Sequence, residues 1–266
     1  MSDSGETSYQ LTRAVGLAAA IVLGLVLERW RPHERLRPAW GTNVGLFAVD
    51  TLVTSVVCGA CGWVLAAWAA DRGFGLLAWM GAGAWTAIGA GILGLDGVSY
   101  AWHRANHQVP LLWRFHQVHH GDASFHVTTA LRFHPGEILL ALPVRLAAIL
   151  LLGVPPEGVL LFELVFGVAN LLEHGNFDLP RRLEPVVQRG FITPALHRGH
   201  HTSEWRELNT NFGTVFSIWD RLASTFHAAE PDRRVVTGLP DWSGPEAPSL
   251  FESLLLPVAR RRKQAR

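Results

Sequence analysis

Long stretches without charge constrain this chain more than any other feature. Residues 11–27 are interrupted only by Thr12 and Arg13, residues 44–70 hold a single acid, Asp50, and residues 76–95 hold no charge at all. An α-helix needs about 20 apolar residues to cross a hydrocarbon core about 30 Å thick. The second and third stretches reach that length and the first nearly does. Helices of this length in a soluble core keep a polar face, which these stretches lack. Two shorter stretches, 138–154 and 158–172, flank Pro155-Pro156 and read as a tight helical hairpin, spanning or partly inserted. Each holds one ionisable residue, Arg145 and Glu163; charges at such depth either pair with each other or serve function. The expected fold is all-α: an integral membrane helical bundle of three long transmembrane helices plus a helical hairpin, with a cytoplasmic helical His-rich cap. The expected divisions are 1–95 for the N-terminal transmembrane helices, 96–226 for a His-rich catalytic region that includes the hairpin 138–172, and 227–266 for a C-terminal cytoplasmic tail.

Arginine sets the orientation. The loop after the first stretch carries Arg29, Arg31, Arg35 and Arg37, whereas the loop after the second carries only Arg72, beside Asp71. The positive-inside tendency puts the first loop in the cytoplasm. The third helix then returns the chain to that side near His103. The region before the first stretch is acidic, and Glu28-Arg29-Trp30-Arg31 follows it, so the stretch reads as retained rather than as a cleaved leader. The terminal Arg260-Arg261-Arg262-Lys263 reads as solvated, with anionic headgroups as the other possible contact. Only 17% of the residues are charged and the net charge is +1, which argues against disorder, a coiled coil and a nucleic-acid partner. Two cysteines exclude a disulfide framework. Cys58-Gly-Ala-Cys61 lies inside an apolar stretch, where small packing residues explain it better than redox chemistry.

Thirteen histidines stand against one lysine, Lys263. Eight of them fall in three short motifs: His103-Arg-Ala-Asn-His107, His116-Gln-Val-His119-His120 and His197-Arg-Gly-His200-His201. On a helix, residues three or four apart share a face, so each motif aims at least two imidazoles at one point. Parity of the membrane crossings puts all three motifs on one side. A lone histidine is usually a satisfied core residue, and His33, His126 and His227 are left unassigned on that ground. Three clusters together are different: packing gains nothing from histidine, and protonated rings would repel. About eight nitrogen donors exceed what one first-row metal takes, so two adjacent metals are the simplest reading.

The chain also resembles the fatty acid hydroxylase / sterol desaturase superfamily of integral membrane di-iron oxygenases. Trp102-His103-Arg104 with His107, and Leu112-Trp113-Arg114-Phe115-His116-Gln117-Val118-His119-His120, are similar to its first two boxes. Thr129-Ala130-Leu131-Arg132-Phe133-His134-Pro135 with Glu137 resembles the segment that follows. Glu173-His174-Gly175-Asn176 resembles its His-x-Asn element, and Thr193-Pro194 leading into His197-Arg198-Gly199-His200-His201 resembles its last box. Asn211-Phe212-Gly213 and Ser217-Ile218-Trp219-Asp220-Arg221 follow as in that family. The resemblance runs from about Asp96 to Phe226. It implies metal ligation by His103, His107, His116, His119, His120, His197, His200 and His201, with His174 as a further ligand. His134 matches a family histidine that acts as ligand or supports one. Asn170, four residues before His174, is a candidate for a water or metal contact or a packing amide. Asn209 stands where the family usually has aspartate, and an amide orients a ligand histidine less strongly than a carboxylate does.

The resemblance further implies two iron ions (Fe2+/Fe3+) as cofactors, O2 as co-substrate and a lipid or sterol-like substrate hydroxylated, or desaturated, at an unactivated C–H bond. Hydroxylation is the preferred expectation. A zinc hydrolase uses three protein ligands and a glutamate base, far fewer histidines than this. Electrons have to come from a separate ferredoxin, cytochrome b5 or reductase, because no Gly-x-Gly-x-x-Gly dinucleotide motif follows a strand pattern. His134-Pro135-Gly136-Glu137 does not amount to a haem motif. Two other classes remain: a non-catalytic His-rich membrane zinc carrier, which predicts ionisable residues lining a mid-membrane path, and a b-type haem electron carrier, which predicts single histidines on opposing helices. The Arg/Ala/Gly-rich, Lys-poor composition points to a bacterial inner membrane, with the site facing the cytoplasm.

Overall fold

A computed structural model describes residues 3–35, 39–57, 60–229, 233–239 and 248–259. Arg37, Cys58 and Arg260–Lys263 lie outside these. The described residues form α1 (Asp3–Trp30), α2 (Trp40–Val57), α3 (Cys61–Asp71), α4 (Leu76–Trp79), α5 (Ala84–Gln108), α6 (Pro110–His116), α7 (Pro135–Leu152), α8 (Pro156–Glu173), α9 (Glu184–Val187), α10 (Pro194–His200), α11 (Trp205–Leu208), α12 (Ile218–Leu222) and α13 (Leu250–Leu255). Short 3-10 turns lie at His119–Gly121 and Val127–Leu131. Among the described residues there is no strand, only isolated β-bridges. The architecture is all-α.

Three segments are long and apolar enough to cross a membrane: Gly5–Trp30, Trp40–Trp79 and Pro135–Leu152. The expected long helix over 76–95 is therefore corrected. Residues 80–83 interrupt it, with Gly81 in the left-handed region at φ 66°, and α5 starts at Ala84. Hydropathy sees the apolar side chains but not the turn that Gly81 and Gly83 permit. The shift lets α5 extend past the apolar stretch and carry His103 and His107 on its last turns. The hairpin forms as expected. Pro135 opens α7 and Pro156 opens α8, each at a first-turn position where a missing N–H costs nothing. Gly153, at φ 71°, closes α7, and its Cα lies so near Gly75 that a side chain at either position would collide with backbone.

Lipid tails are as apolar as leucine, so shape fit rather than water exclusion holds such helices together. α1 and α8 interlock reciprocally: Leu164 fills the space beside Gly16, and Leu17 fills the space beside Gly167. α5 packs on α7 and α8, and α3 packs on the same pair. Leu95, Ile149, Val159 and Phe162 form the core between them. Glu163 on α8 gathers the charges of this layer. Arg13 lies 2.8 Å from it, Arg145 3.7 Å, and the Tyr9 hydroxyl donates to it at 2.5 Å. The hairpin pair seen in the sequence is thus a cluster that also includes α1.

The C-terminal tail is not uniformly solvated. α13 packs on α2, where Leu250 lies against Gly45, and Ser253 is fully buried. Arg132, also fully buried, donates to Ser253 Oγ, Pro248 O, Val118 O and Asn43 Oδ1 at 2.8–3.0 Å. One guanidinium thereby ties α2, the turn before His119 and the tail together.

Candidate metal centre

The C-terminal ends of α5 and α8 and three short elements converge on one site. α5 presents His103 and His107 one turn apart. α6 ends on His116, and the 3-10 turn after it supplies His119 and His120. α8 ends at His174. α10 supplies His197 and His200, with His201 as its C-cap. α10 starts sharply because Thr193 accepts from Leu196 N at 3.2 Å and Pro194 follows it.

The nine histidines fall into two groups. His103, His107, His116, His120 and His200 form one; His119, His174, His197 and His201 form the other. Within each group one ring nitrogen per residue lies within 4.8 Å of all the others. The groups adjoin, with the His120 and His201 rings stacked at 4.2 Å. His134 belongs to neither: its Nδ1 accepts from Gly136 N and caps α7. Asn170 donates to Ala130 O, and its own carbonyl receives the His174 Nδ1 proton at 2.6 Å. The Asn209 side chain is turned to Trp205 O. His33 pairs with Asp178, and His126 caps the Val127–Leu131 turn.

The ring orientations carry the chemistry. His103 Nδ1 donates to Phe212 O at 2.8 Å, His200 Nδ1 to Thr210 O at 2.7 Å, and His119 Nδ1 to Arg132 O at 3.3 Å. A carbonyl only accepts, so each Nδ1 carries the proton and each Nε2 of the neutral ring is a bare lone pair. Yet His103 Nε2 and His200 Nε2 are 3.1 Å apart, and so are His119 Nε2 and His174 Nε2. Two lone pairs at that distance repel; a cation between them satisfies both. In addition, His107 Nε2, His116 Nε2 and both nitrogens of His120 and His201 are buried with no hydrogen-bond partner. Buried polar atoms are rarely left so. Neutral imidazoles suit iron, zinc and copper, and the donor set fits two such ions.

Burial, reinforced by neighbouring imidazoles, holds His119, His120, His197 and His201 well below the ordinary 6.5. Burial takes His174 and His200 to about 3. The sign of the pH dependence follows. An unfolded chain takes up protons below about 6.5 that the folded chain refuses until far lower, so stability is level above that point and falls as pH drops towards 3. The chelator-treated protein is expected to melt at a lower temperature at pH 5 than at pH 7.5. An equal or higher melting point at pH 5 would contradict this.

Several supporting residues were not singled out by spacing. Glu137, on the first turn of α7, accepts from His116 Nδ1 at 2.8 Å and from Asn106 at 3.0 Å. Such a carboxylate fixes the tautomer of a ligand histidine. Glu137→Gln is expected to weaken metal binding about 10–100-fold, as read by competition with a chelator. Asp220 accepts from Phe212 N, Gly213 N and Thr225 Oγ1 at 2.7–2.9 Å. It thus pins the carbonyl that holds His103. Asp96 on α5 accepts from Trp219 Nε1 at 2.8 Å and from the backbone of Val215 and Phe216. Asn211 turns the chain here at φ 53°, which asparagine tolerates. Aromatic rings wall the site: Trp113 against His107, Phe133 stacked on His119, Phe125 on His174 and Phe212 on His107.

Comparison with known proteins agrees with this constellation. The fatty acid hydroxylase family model matches residues 88–225, slightly more than half of the chain. An ornithine lipid hydroxylase of Rhizobium tropici is 34% identical over 61% of this chain and 47% of its own length. A cholesterol 25-hydroxylase of Rattus norvegicus is 28% identical over 55% of this chain and 49% of its own. A human alkylglycerol monooxygenase is 32% identical over 58% and 33%. The chain thus spans about half the length of these curated relatives, or less. No solved structure matches it. Every histidine of the two groups lies inside the matched region.

Proposed function

The chain belongs to the fatty acid hydroxylase family, and from that premise we propose that it is a membrane-bound di-iron oxygenase that hydroxylates an unactivated C–H bond of a lipid. The observation that carries this reading is the pair of adjoining histidine groups, in which bare Nε2 atoms face each other at 3.1 Å. His103, His107, His116, His120 and His200 hold one iron, and His119, His174, His197 and His201 hold the other. Two irons so held, given O2 and electrons, supply the oxidising power that turns a C–H bond into an alcohol. The balance is one substrate, one O2, two electrons and two protons to one alcohol and one water. Hydroxylation is favoured over desaturation because the relatives above are named hydroxylases and monooxygenases.

The protein's own groups do the rest. Glu137 keeps the Nδ1 proton on His116, Asp220 holds the Phe212–Gly213 peptide whose carbonyl orients His103, and Asp96 anchors the chain that follows at Val215, Phe216 and Trp219. The Trp113, Phe125, Phe133 and Phe212 rings keep bulk water from the metals. An apolar tail reaches the site from the bilayer, beside helices that end on its ligands. The electrons come from a separate ferredoxin, cytochrome b5 or reductase on the cytoplasmic side. A zinc carrier is disfavoured because Arg13 and Arg145 both pair with Glu163 instead of lining a path.

Purified protein is expected to hold two irons per chain and to show no haem Soret band. Lipids of a host expressing the gene are expected to include a species heavier by one oxygen. One zinc per chain with no iron would sink the reading.

A further inference from the structure

Neutral ligands raise an electrostatic difficulty. Two divalent ions among nine neutral imidazoles leave about four uncompensated positive charges in a buried site, which a low-dielectric interior does not tolerate. Acids must answer them. Glu137 does so at one remove, through His116. Glu173 has no assigned partner. It is the last residue of α8 and 2% exposed, and neither of its carboxylate oxygens has a hydrogen-bond partner. Its only ion-pair neighbours among the described residues are histidines of the smaller group: Oε1 lies 3.7 Å from His197 Nε2 and 4.0 Å from His174 Nδ1. A buried carboxylate without a donor is costly unless it takes up a proton or a cation faces it. That group also has four histidines where its neighbour has five.

We propose that Glu173 is a carboxylate ligand of the iron held by His119, His174, His197 and His201, giving that ion a fifth protein donor and a negative charge. Donors 3.7 Å apart can share one ion at bonds of about 2.1 Å, the usual length for imidazole and carboxylate ligands of a first-row metal, with an angle near 120°. Glu173 stands just outside the four-histidine group as it is placed, and the side-chain rotation that would bring it to the remaining donors breaks no hydrogen bond, since its carboxylate makes none. The two irons then differ: one has histidines alone, and the other has four histidines and a carboxylate. The proposal rests on the di-iron reading above.

The test uses the full-length protein in detergent, loaded with 57Fe and reduced, without turnover. Wild type is expected to bind two irons and give two ferrous Mössbauer doublets. Glu173→Gln, close in size, is expected to bind one of the two at least tenfold more weakly, with only that doublet changed. The chelated Glu173→Gln apoprotein is expected to melt at or above the wild-type temperature, because a carboxylate that only ligates metal contributes nothing to the apo fold. Two irons bound with unaltered affinity and unaltered doublets in Glu173→Gln would overturn the proposal and leave the di-iron reading intact. A lower-melting apoprotein would overturn it in favour of a structural acid. Failure of wild type to take two irons would overturn both.

Discussion

His120→Ala is expected to remove hydroxylated product to below detection while the protein still inserts in the membrane. His120 is fully buried, and neither of its ring nitrogens has a protein partner. It therefore contributes no hydrogen bond whose loss would unfold the chain. Its ring belongs to the five-histidine group and stacks at 4.2 Å on His201 of the other, so one substitution disturbs both. Iron should fall from two per chain to one or fewer. His126→Ala is the matched control. That ring is equally buried, but it caps a turn and lies outside both groups. It is expected to cost some stability and no iron. If the His120 variant kept wild-type iron and product, the assignment of these rings as ligands would fail.

The second large effect is expected at Asp220. Its two oxygens receive Phe212 N, Gly213 N and Thr225 Oγ1, and the Phe212 carbonyl holds the His103 ring. Asp220→Ala strands buried donors and releases the loop that orients a ligand. The cost is about 3–5 kcal/mol, since each buried donor left without a partner costs about 1–3 kcal/mol. At about 2–4 °C per kcal/mol for a chain near this size, melting should fall by about 10 °C. Iron in the five-histidine group should weaken with it. Asp220→Asn keeps one acceptor oxygen and should fall between the two. A melting point within 2 °C of wild type and full iron in Asp220→Ala would show that the loop is held by other means.

The histidine boxes were legible because their spacing matches a helical turn, and each box reports its own geometry. His174 sits alone in its segment, and only the family resemblance singled it out. Asp96, Glu137 and Arg132 act on residues far along the chain: Asp96 meets Trp219, and Arg132 meets Ser253. No local pattern encodes such meetings. The sequence makes Asn209 a weakened support for a ligand, yet the structure turns it outward and gives ring orientation to backbone carbonyls at Phe212 and Thr210. The break at Gly81 escaped notice for another reason: hydropathy counts side chains, whereas the turn depends on backbone freedom.

The opposed Nε2 atoms reach beyond catalysis. Rings that push apart until an ion sits between them link the lifetime of the polypeptide in a cell to iron supply, since binding free energy adds to folding free energy. Starved of iron, such a protein should be cleared by quality-control proteases while its transcript persists. A pulse–chase with and without a permeant chelator would show the difference, and its abundance would then report nutrient status without a dedicated regulator.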